Sequence, residues 1–429
     1  MDYKQTLEFL YGSMPSFQAV GSDAYKPGLD NIRGFCRYLG DPQKNFLTIH
    51  VAGTNGKGSV SHMIAAVLMA AGYHTGLYTS PHLHDFRERI RIDGQTIEQQ
   101  DVIDFVARHG KRMTETGLSF FEMTTALAFE SFSRCGVQVA VIETGLGGRL
   151  DATNIIVPQL CIITNIGLEH TQYLGDTIEK IAGEKAGIIK RGVPVVIGES
   201  GAESDPVFIH TAERLNAPIV FADKKYEVAQ RISKPFSESY TLRPLAGGAP
   251  RCAEIDLAGD YQEKNIATVM AALDAMQEYT PLRIPKKKIR EGLRNAAFTT
   301  SLAGRWQILG TSPLTVCDTG HNEHGLRIVA EQIKRQKYRK LYIVIGVMAD
   351  KDLRGIIPLM PQQAEYVFTQ AGTPRALAAE QLQKAFAAAG MLGTVVTPVK
   401  SAVEYAKRQA GAEDMIFIGG STYTVAEAL

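Results

Sequence analysis

From residue 46 onward, short apolar runs alternate with longer segments of helical spacing. Phe46-Leu47-Thr48-Ile49-His50-Val51 reads as a strand, a Gly-rich turn through Gly58 follows, and residues 59–71 are rich in Ala, Met and Leu up to the helix stop at Gly72. Strand signals resume at 75–79, 137–142, 160–166 and 193–197, separated by helix-length segments. That rhythm predicts a doubly wound, mostly parallel sheet, which takes its ligands beyond the carboxyl ends of the strands. Residues 221–257 break the pattern, because Tyr240-Thr241-Leu242-Arg243 alternates and Leu245-Ala246-Gly247-Gly248-Ala249-Pro250 is turn-rich, so a small β appendage is expected there. After a helical stretch at 265–276, strands at 314–317, 341–347, 366–369 and 415–418 predict a smaller, Rossmann-like α/β domain. The boundary is set near Phe298-Thr299-Thr300-Ser301, giving domains of residues 1–297 and 298–429.

A chain of 429 residues has room for two or three such cores. Lys and Arg number 46 against 45 Asp and Glu, a net charge of +1, so no global field favours nucleic acid or an anionic membrane, and neither is expected as a partner. Cys36, Cys135, Cys161, Cys252 and Cys317 are scattered without a C-x-x-C pair, which argues against a disulfide framework or zinc knuckle and for a reducing, cytoplasmic setting. The start, Met1-Asp2-Tyr3-Lys4-Gln5, is polar at once, and the apolar run 64–71 is short of the roughly 20 residues of a membrane span. A soluble monomer is expected.

The sharpest chemical signal is Gly53-Thr54-Asn55-Gly56-Lys57-Gly58-Ser59, lying between a strand and a helix. Its glycines let backbone N–H groups approach a triphosphate, the helix start attracts the charge, Lys57 can reach the terminal phosphates, and Ser59 can ligate Mg²⁺. The common pattern G-x-x-x-x-G-K-[ST] is not met, since Val51 stands at the first Gly position and Gly58 follows the lysine. A merely flexible turn is the bland alternative, and the flanking strand and helix weigh against it. Glu143 closes the apolar strand Val139-Ala140-Val141-Ile142, where a bound cation would offset the cost of burying a carboxylate. His170 follows the next strand and is either structural or a ligand at the same edge. Asp176-Thr177-Ile178-Glu179 has a capping-box pattern and opens an amphipathic helix over 176–190, with Ile178, Ile181, Ala182, Lys185 and Ile189 on one face. A lysine in that stripe either snorkels to water or loses its charge.

The variant loop resembles that of the Mur ligase superfamily, and three further segments narrow the likeness. Ser80-Pro81-His82-Leu83 with Glu88-Arg89-Ile90, the run Glu143-Thr144-Gly145-Leu146-Gly147-Gly148-Arg149-Leu150-Asp151-Ala152-Thr153-Asn154, and Gly183-Glu184-Lys185-Ala186-Gly187-Ile188 are similar to segments of the folylpolyglutamate synthase/dihydrofolate synthase family. The resemblance implies ATP on Thr54, Asn55, Gly56, Lys57, Gly58 and Ser59, and two Mg²⁺ sites drawing on Ser59, Ser80, Glu143, His170 and Lys185. It implies that Lys185 is carbamylated by CO₂, which needs the neutral amine, and that the carbamate helps hold Mg²⁺. In Gly259-Asp260-Tyr261-Gln262-Glu263-Lys264-Asn265 the final Asn would contact ATP. Gly304-Arg305 resembles the family's Pro-Gly-Arg, with Ala303 replacing Pro, and gives a phosphate ligand in Arg305. Asp318-Thr319-Gly320-His321-Asn322 resembles Asp-Gly-Ala-His-Asn with two changes; Asp318 would accept from ribose, and Thr319 takes a positive φ less readily than Gly. His321, a catalytic candidate beside Lys57 and Lys185, and Ser421 would lie near the incoming glutamate. For the pterin acceptor the matching stretches are Lys26-Pro27-Gly28-Leu29-Asp30 and Ser119-Phe120-Phe121-Glu122, with Asp151 added from its loop. Phe121 could stack on a flat pterin or fill core.

The implied activity is ATP-dependent ligation of L-glutamate to dihydropteroate, to a reduced folate, or to both, through an acyl phosphate and with domain closure. Two rivals stand beside it. One is a Mur-type ligase adding an amino acid to a cell-wall precursor, and the other a non-catalytic ATP-binding switch.

Overall fold

The computed structural model describes residues 1–13, 28–234 and 236–429, so Lys26 and Pro27 of the expected acceptor loop lie outside the described residues. The chain divides into two units. The first comprises Met1–Ser233, Glu238–Asp256 and Gln262–Ser301; the second comprises Lys234–Ser237, Leu257–Tyr261 and Leu302–Leu429. The sequence set its boundary at 297/298, and no local signal marks the two short segments that group with the second unit.

In the first unit, β1 (Leu47–Ala52), β2 (Thr75–Tyr78), β3 (Ile90–Ile92), β4 (Gln95–Thr96), β5 (Val139–Glu143), β6 (Leu160–Ile163), β7 (Val195–Ile197) and β8 (Ile219–Phe221) form one sheet. Their order is β4-β3-β2-β5-β1-β6-β7-β8. Six strands run parallel, and β3 and β4 add an antiparallel edge. The central strands are buried on both faces and so read as continuous apolar runs, while β3, β4 and β8 are too short to announce themselves. From β1 the chain departs to one side of the sheet and later returns on the other, which makes the carboxyl end of β1 the topological switch point.

The helix that follows β1 runs Lys57–Ala70, two residues earlier than its apolar pattern, because Gly56 in the left-handed region turns the chain into it. Val60, Met63, Ile64, Val67 and Leu68 are fully buried, each contributing about 1.5–3 kcal/mol relative to exposure. A Cβ on Gly292 would strike the Ala66–Val67 backbone, so helix Lys286–Arg294 packs against this helix at very short range. The turn ahead of Lys57 is thus mounted on a rigid base. The expected appendage is an antiparallel sheet of β9 (Tyr226–Lys234), β10 (Ser237–Pro244) and β11 (Arg251–Ile255).

In the second unit, β12 (Gln307–Thr311), β13 (Leu314–Cys317), β14 (Leu341–Ile345), β15 (Glu365–Phe368), β16 (Gly393–Val395) and β17 (Met415–Gly419) lie in the order β12-β13-β17-β14-β15-β16. All neighbours are parallel except β12, an antiparallel edge with a bulge between Ile308 and Gly310. Val316, Ile343, Ile345, Phe368, Phe386 and Phe417 centre its core. No helix among the described residues is long and apolar enough to cross a membrane. The five cysteines are free.

Candidate functional site

The loop after β1 is braced from β6 and from the helix Gln262–Tyr279. Thr54 N–H donates to the Asn165 carbonyl (3.0 Å), Thr54 Oγ1 donates to the Gly167 carbonyl (3.2 Å), and Asn55 N–H donates to Asn165 Oδ1 (2.8 Å). A Cβ on Gly53 would strike Thr164, and one on Gly56 would strike the Asn265 amide, so both glycines are required by contact as well as by positive φ. Lys57 Nζ donates to the carbonyls of Gly53 (3.0 Å) and Thr54 (3.1 Å). Ser59 is buried and its Oγ accepts from Gln262 Nε2 (3.3 Å), while Gln262 Oε1 accepts from Asn265 Nδ2 (2.8 Å). Gln262 therefore ties the two expected nucleotide contacts together. Its segment was legible in the sequence, but only its last residue was singled out.

Glu143 ends β5 opposite Val51 and is 4% exposed. Its Oε2 accepts from the Ser80 N–H (3.2 Å), which brings two expected metal ligands together. His170 sits in the left-handed region at the start of the short helix Thr171–Leu174, 3.9 Å from Glu169 Oε1. Among the described residues no three His, Cys, Asp or Glu side chains cluster as a metal-binding set. A carboxylate, hydroxyls and open coordination positions suit a hard ion that takes its remaining ligands from phosphate and water, as Mg²⁺ does, and do not suit zinc.

Lys185 does not snorkel. It is 3% exposed on helix Ile178–Ala186, which starts at Thr177, not Asp176, and stops before the end its pattern predicted. Its Nζ donates to the Gly53 carbonyl (2.8 Å), the same oxygen that Lys57 uses. Burial, and then the Lys57 charge, push the amine down to about 7, with Glu169 and Asp151 opposing. The folded amine is neutral above about pH 7, whereas the unfolded one stays charged to about 10.5. The unfolded chain then binds the extra proton, so stability rises with pH across that window. Between pH 8 and 10 the protein should gain about 1.4 kcal/mol per pH unit relative to Lys185→Met in chemical denaturation. A flat difference would show that the amine keeps its charge.

The acceptor residues are less uniform. Ser119 and Glu122 form a capping box at the start of helix Phe120–Arg134, with Glu122 Oε2 accepting from Ser119 N–H (2.7 Å) and Oγ (2.9 Å). Both are buried, and these polar groups serve the start of the helix. The Phe121 ring packs on Gly145, where a Cβ would clash with it, and lies 5.9 Å from the Tyr78 ring. Asp151 Oδ2 accepts from Gly145 N–H (2.9 Å) and Leu146 N–H (2.8 Å), and its Oδ1 from Thr153 N–H (3.0 Å) and Oγ1. Its carboxylate holds its own loop. Gly28 has φ +134 and Leu29 precedes helix Asp30–Tyr38.

In the second unit Asp318 is 2% exposed, and both oxygens are engaged: Oδ2 accepts from Tyr261 OH (2.6 Å) and Trp306 N–H (2.7 Å), and Oδ1 from Gly320 N–H (2.7 Å). These bonds shape the loop around Asp318. Neither Thr319 nor Gly320 has positive φ, so the substitution at Thr319 costs nothing, and its Oγ1 donates to the Gly304 carbonyl (3.1 Å) and accepts from Arg305. The strained residue is Trp306, at φ +42, which the sequence did not point to. His321 Nδ1 lies 3.0 Å from the Thr319 carbonyl. Ser421 is buried as the N-cap of helix Thr422–Ala428, its Oγ accepting from Thr424 N–H (3.0 Å).

Residues 51–273 match the Mur ligase middle domain and residues 304–422 the Mur ligase glutamate ligase domain. The chain is 31% identical to the dihydrofolate synthase/folylpolyglutamate synthase of Bacillus subtilis, over 94% of each protein. It is 34% identical along its whole length to a probable bifunctional folylpolyglutamate synthase/dihydropteroate synthase of Haloferax volcanii, of which it spans half. Among solved structures it superposes on Escherichia coli FolC in complex with DHPP and ADP with a TM-score of 0.85 at 29% identity, covering 100% of this chain and 96% of that one. The folylpolyglutamate synthase of Mycobacterium tuberculosis complexed with ADP gives 0.86 at 30% identity, covering 99% and 97%.

Proposed function

We propose, from the premise that this chain belongs to the folylpolyglutamate synthase/dihydrofolate synthase family of the Mur ligase superfamily, that it is an ATP-dependent ligase joining L-glutamate to a pterin-bearing acid, either dihydropteroate or a reduced folate. The observation that carries this reading is the convergence of Lys57 and Lys185 on the Gly53 carbonyl, at the end of the strand that pairs Val51 with Glu143. A cation at Lys57, an amine at Lys185 that sheds its proton readily and a buried carboxylate at a switch point can gather phosphate, metal and an organic acid.

The backbone N–H groups of residues 56–58 cradle the nucleotide, on a turn that Thr54 and Asn55 hold against Asn165, and Lys57 leaves its two carbonyls to meet the γ-phosphate. An acceptor carboxylate oxygen attacks that phosphorus, the bond to the β-phosphate oxygen breaks, and ADP departs. The amine of glutamate then attacks the acyl carbon and loses a proton, and the bond to phosphate breaks to release inorganic phosphate. Ser59 and Glu143, with Ser80, His170 and a carbamylated Lys185, would hold Mg²⁺, which supplies Lewis-acid neutralisation of the phosphate charge. The family likeness supports phosphate contact by Arg305, ribose contact by Asp318, glutamate contact by His321 and Ser421, and acceptor contact by Phe121, Asp151, Ser119 and Glu122.

The test supplies Mg·ATP and glutamate with dihydropteroate, tetrahydrofolate or a UDP-sugar acid, and resolves the products by mass. Glutamate adducts of both pterin acids are expected, with one ADP and one phosphate per bond formed. Adduct from the UDP-sugar acid alone would establish the cell-wall reading, and ATP turnover without any adduct would establish the switch.

A further inference from the structure

His50 has no part in the chemistry above, yet it is 0% exposed in the strand that leads to the nucleotide loop. Its register partners are Ile142 on β5 and Cys161 on β6. Nε2 lies 2.8 Å from Thr153 Oγ1, while Nδ1 has no hydrogen-bond partner among the described residues. The bare nitrogen decides the direction of the bond. A buried ring N–H without an acceptor is rarer than a bare ring nitrogen, so the proton sits on Nε2 and His50 donates to Thr153. Thr153 has a single hydroxyl proton, which then goes to Asp151 Oδ1. Asp151 in turn receives the N–H groups of Gly145 and Leu146, in the turn just beyond Glu143 on which the Phe121 ring packs.

From this chain of donors we infer that His50 is a positioning residue for the acceptor side of the site, acting through Thr153 to hold Asp151 as the charged anchor of the Gly145–Leu146 turn. The inference rests on the ligase reading for its kinetic test. It makes a specific division of labour. The nucleotide loop is braced by Thr164, Asn165 and Gly167, none of which belongs to this chain of hydrogen bonds. Loss of the His50 donor should therefore be felt by the acceptor and not by ATP. A merely structural lesion would reach ATP as well, because Gly53 lies only three residues further along the chain, just past the end of the strand that holds His50.

The experiment measures KM for the pterin acceptor and for ATP separately in His50→Phe, His50→Gln, Thr153→Val and Thr153→Ser. Thr153→Val should raise the acceptor KM about tenfold, the effect of one hydrogen bond to a charged group, His50→Phe should raise it about fivefold, the effect of a neutral one, and both should leave the ATP KM within about twofold. His50→Gln, whose amide nitrogen can take the place of Nε2, and Thr153→Ser should restore it. An ATP KM that rises as much as the acceptor KM, an unchanged acceptor KM, or failure of both conservative variants to restore would overturn the inference. Thr153→Val carries the test if the bulkier His50→Phe does not fold. A wild-type protein that forms no adduct would refute the ligase reading alone, because the tautomer is readable without activity: ¹⁵N resonances should show His50 protonated at Nε2 and bare at Nδ1, and the reverse assignment would overturn the proposal.

Discussion

Replacing Lys57 by Ala is expected to cut glutamate-dependent phosphate release by about three orders of magnitude, the scale on which a preorganised charge at a transferring phosphoryl group acts. The reason lies in the loop's geometry. Lys57 Nζ is half-buried and bonded only to the Gly53 and Thr54 carbonyls, contacts that hold the side chain over the turn without supporting the fold. Removing it should cost about 1 kcal/mol of stability or less, so the melting temperature stays near that of the wild type while turnover collapses. Near-normal turnover would remove the assignment of the loop to the nucleotide.

Lys185→Arg should be almost as damaging, with a loss of about a hundredfold or more. The substitution separates two roles that an alanine would confound. Arg keeps a cation and donors for the Gly53 carbonyl but cannot shed its proton near neutrality, and so cannot react with CO₂. If Lys185 acts only as a buried cation, Arg retains most of the activity. If its amine must be neutral, as its position beside Lys57 and away from water favours, Arg and Met fail alike, and the wild type loses activity reversibly in CO₂-free buffer. Overpacking is the competing cause, and Lys185→Met, of smaller volume and without charge, controls for it.

The parts of this molecule that were legible in the sequence are those in which local pattern and burial agree. β1, its glycine turn and the following helix could be read because strand, turn and helix each carry their own signal, and Glu143 could be placed because an apolar run has only one polar end. Lys185 was legible as a lysine in an apolar stripe, although the stripe could not say whether it would reach water. The edge strands were not. β12 has no fully buried position and is interrupted by a bulge, and β3 and β4, three and two residues long, meet over an Asp93-Gly94 turn and are too short to show a period.

The polar residues teach a different lesson. Ser119-x-x-Glu122 is a capping-box pattern and Ser421 precedes a short helix, so the local signal that makes both serines caps was present in the sequence. Asp318 is another matter. Its partners Tyr261 and Trp306 come from 57 and 12 residues away, and no spacing rule connects them. The same holds for His50 and Thr153, 103 residues apart. Long-range hydrogen bonds become visible only when the sheet brings their strands together.

The central claim is that ATP energises an organic acid by forming a bond between its carboxylate oxygen and the γ-phosphorus. It is tested most directly by following ¹⁸O from the labelled carboxylate of dihydropteroate during ligation to glutamate. Transfer through an acyl phosphate predicts one labelled oxygen in each inorganic phosphate released. Phosphate that carries no label while the glutamate adduct accumulates would contradict it.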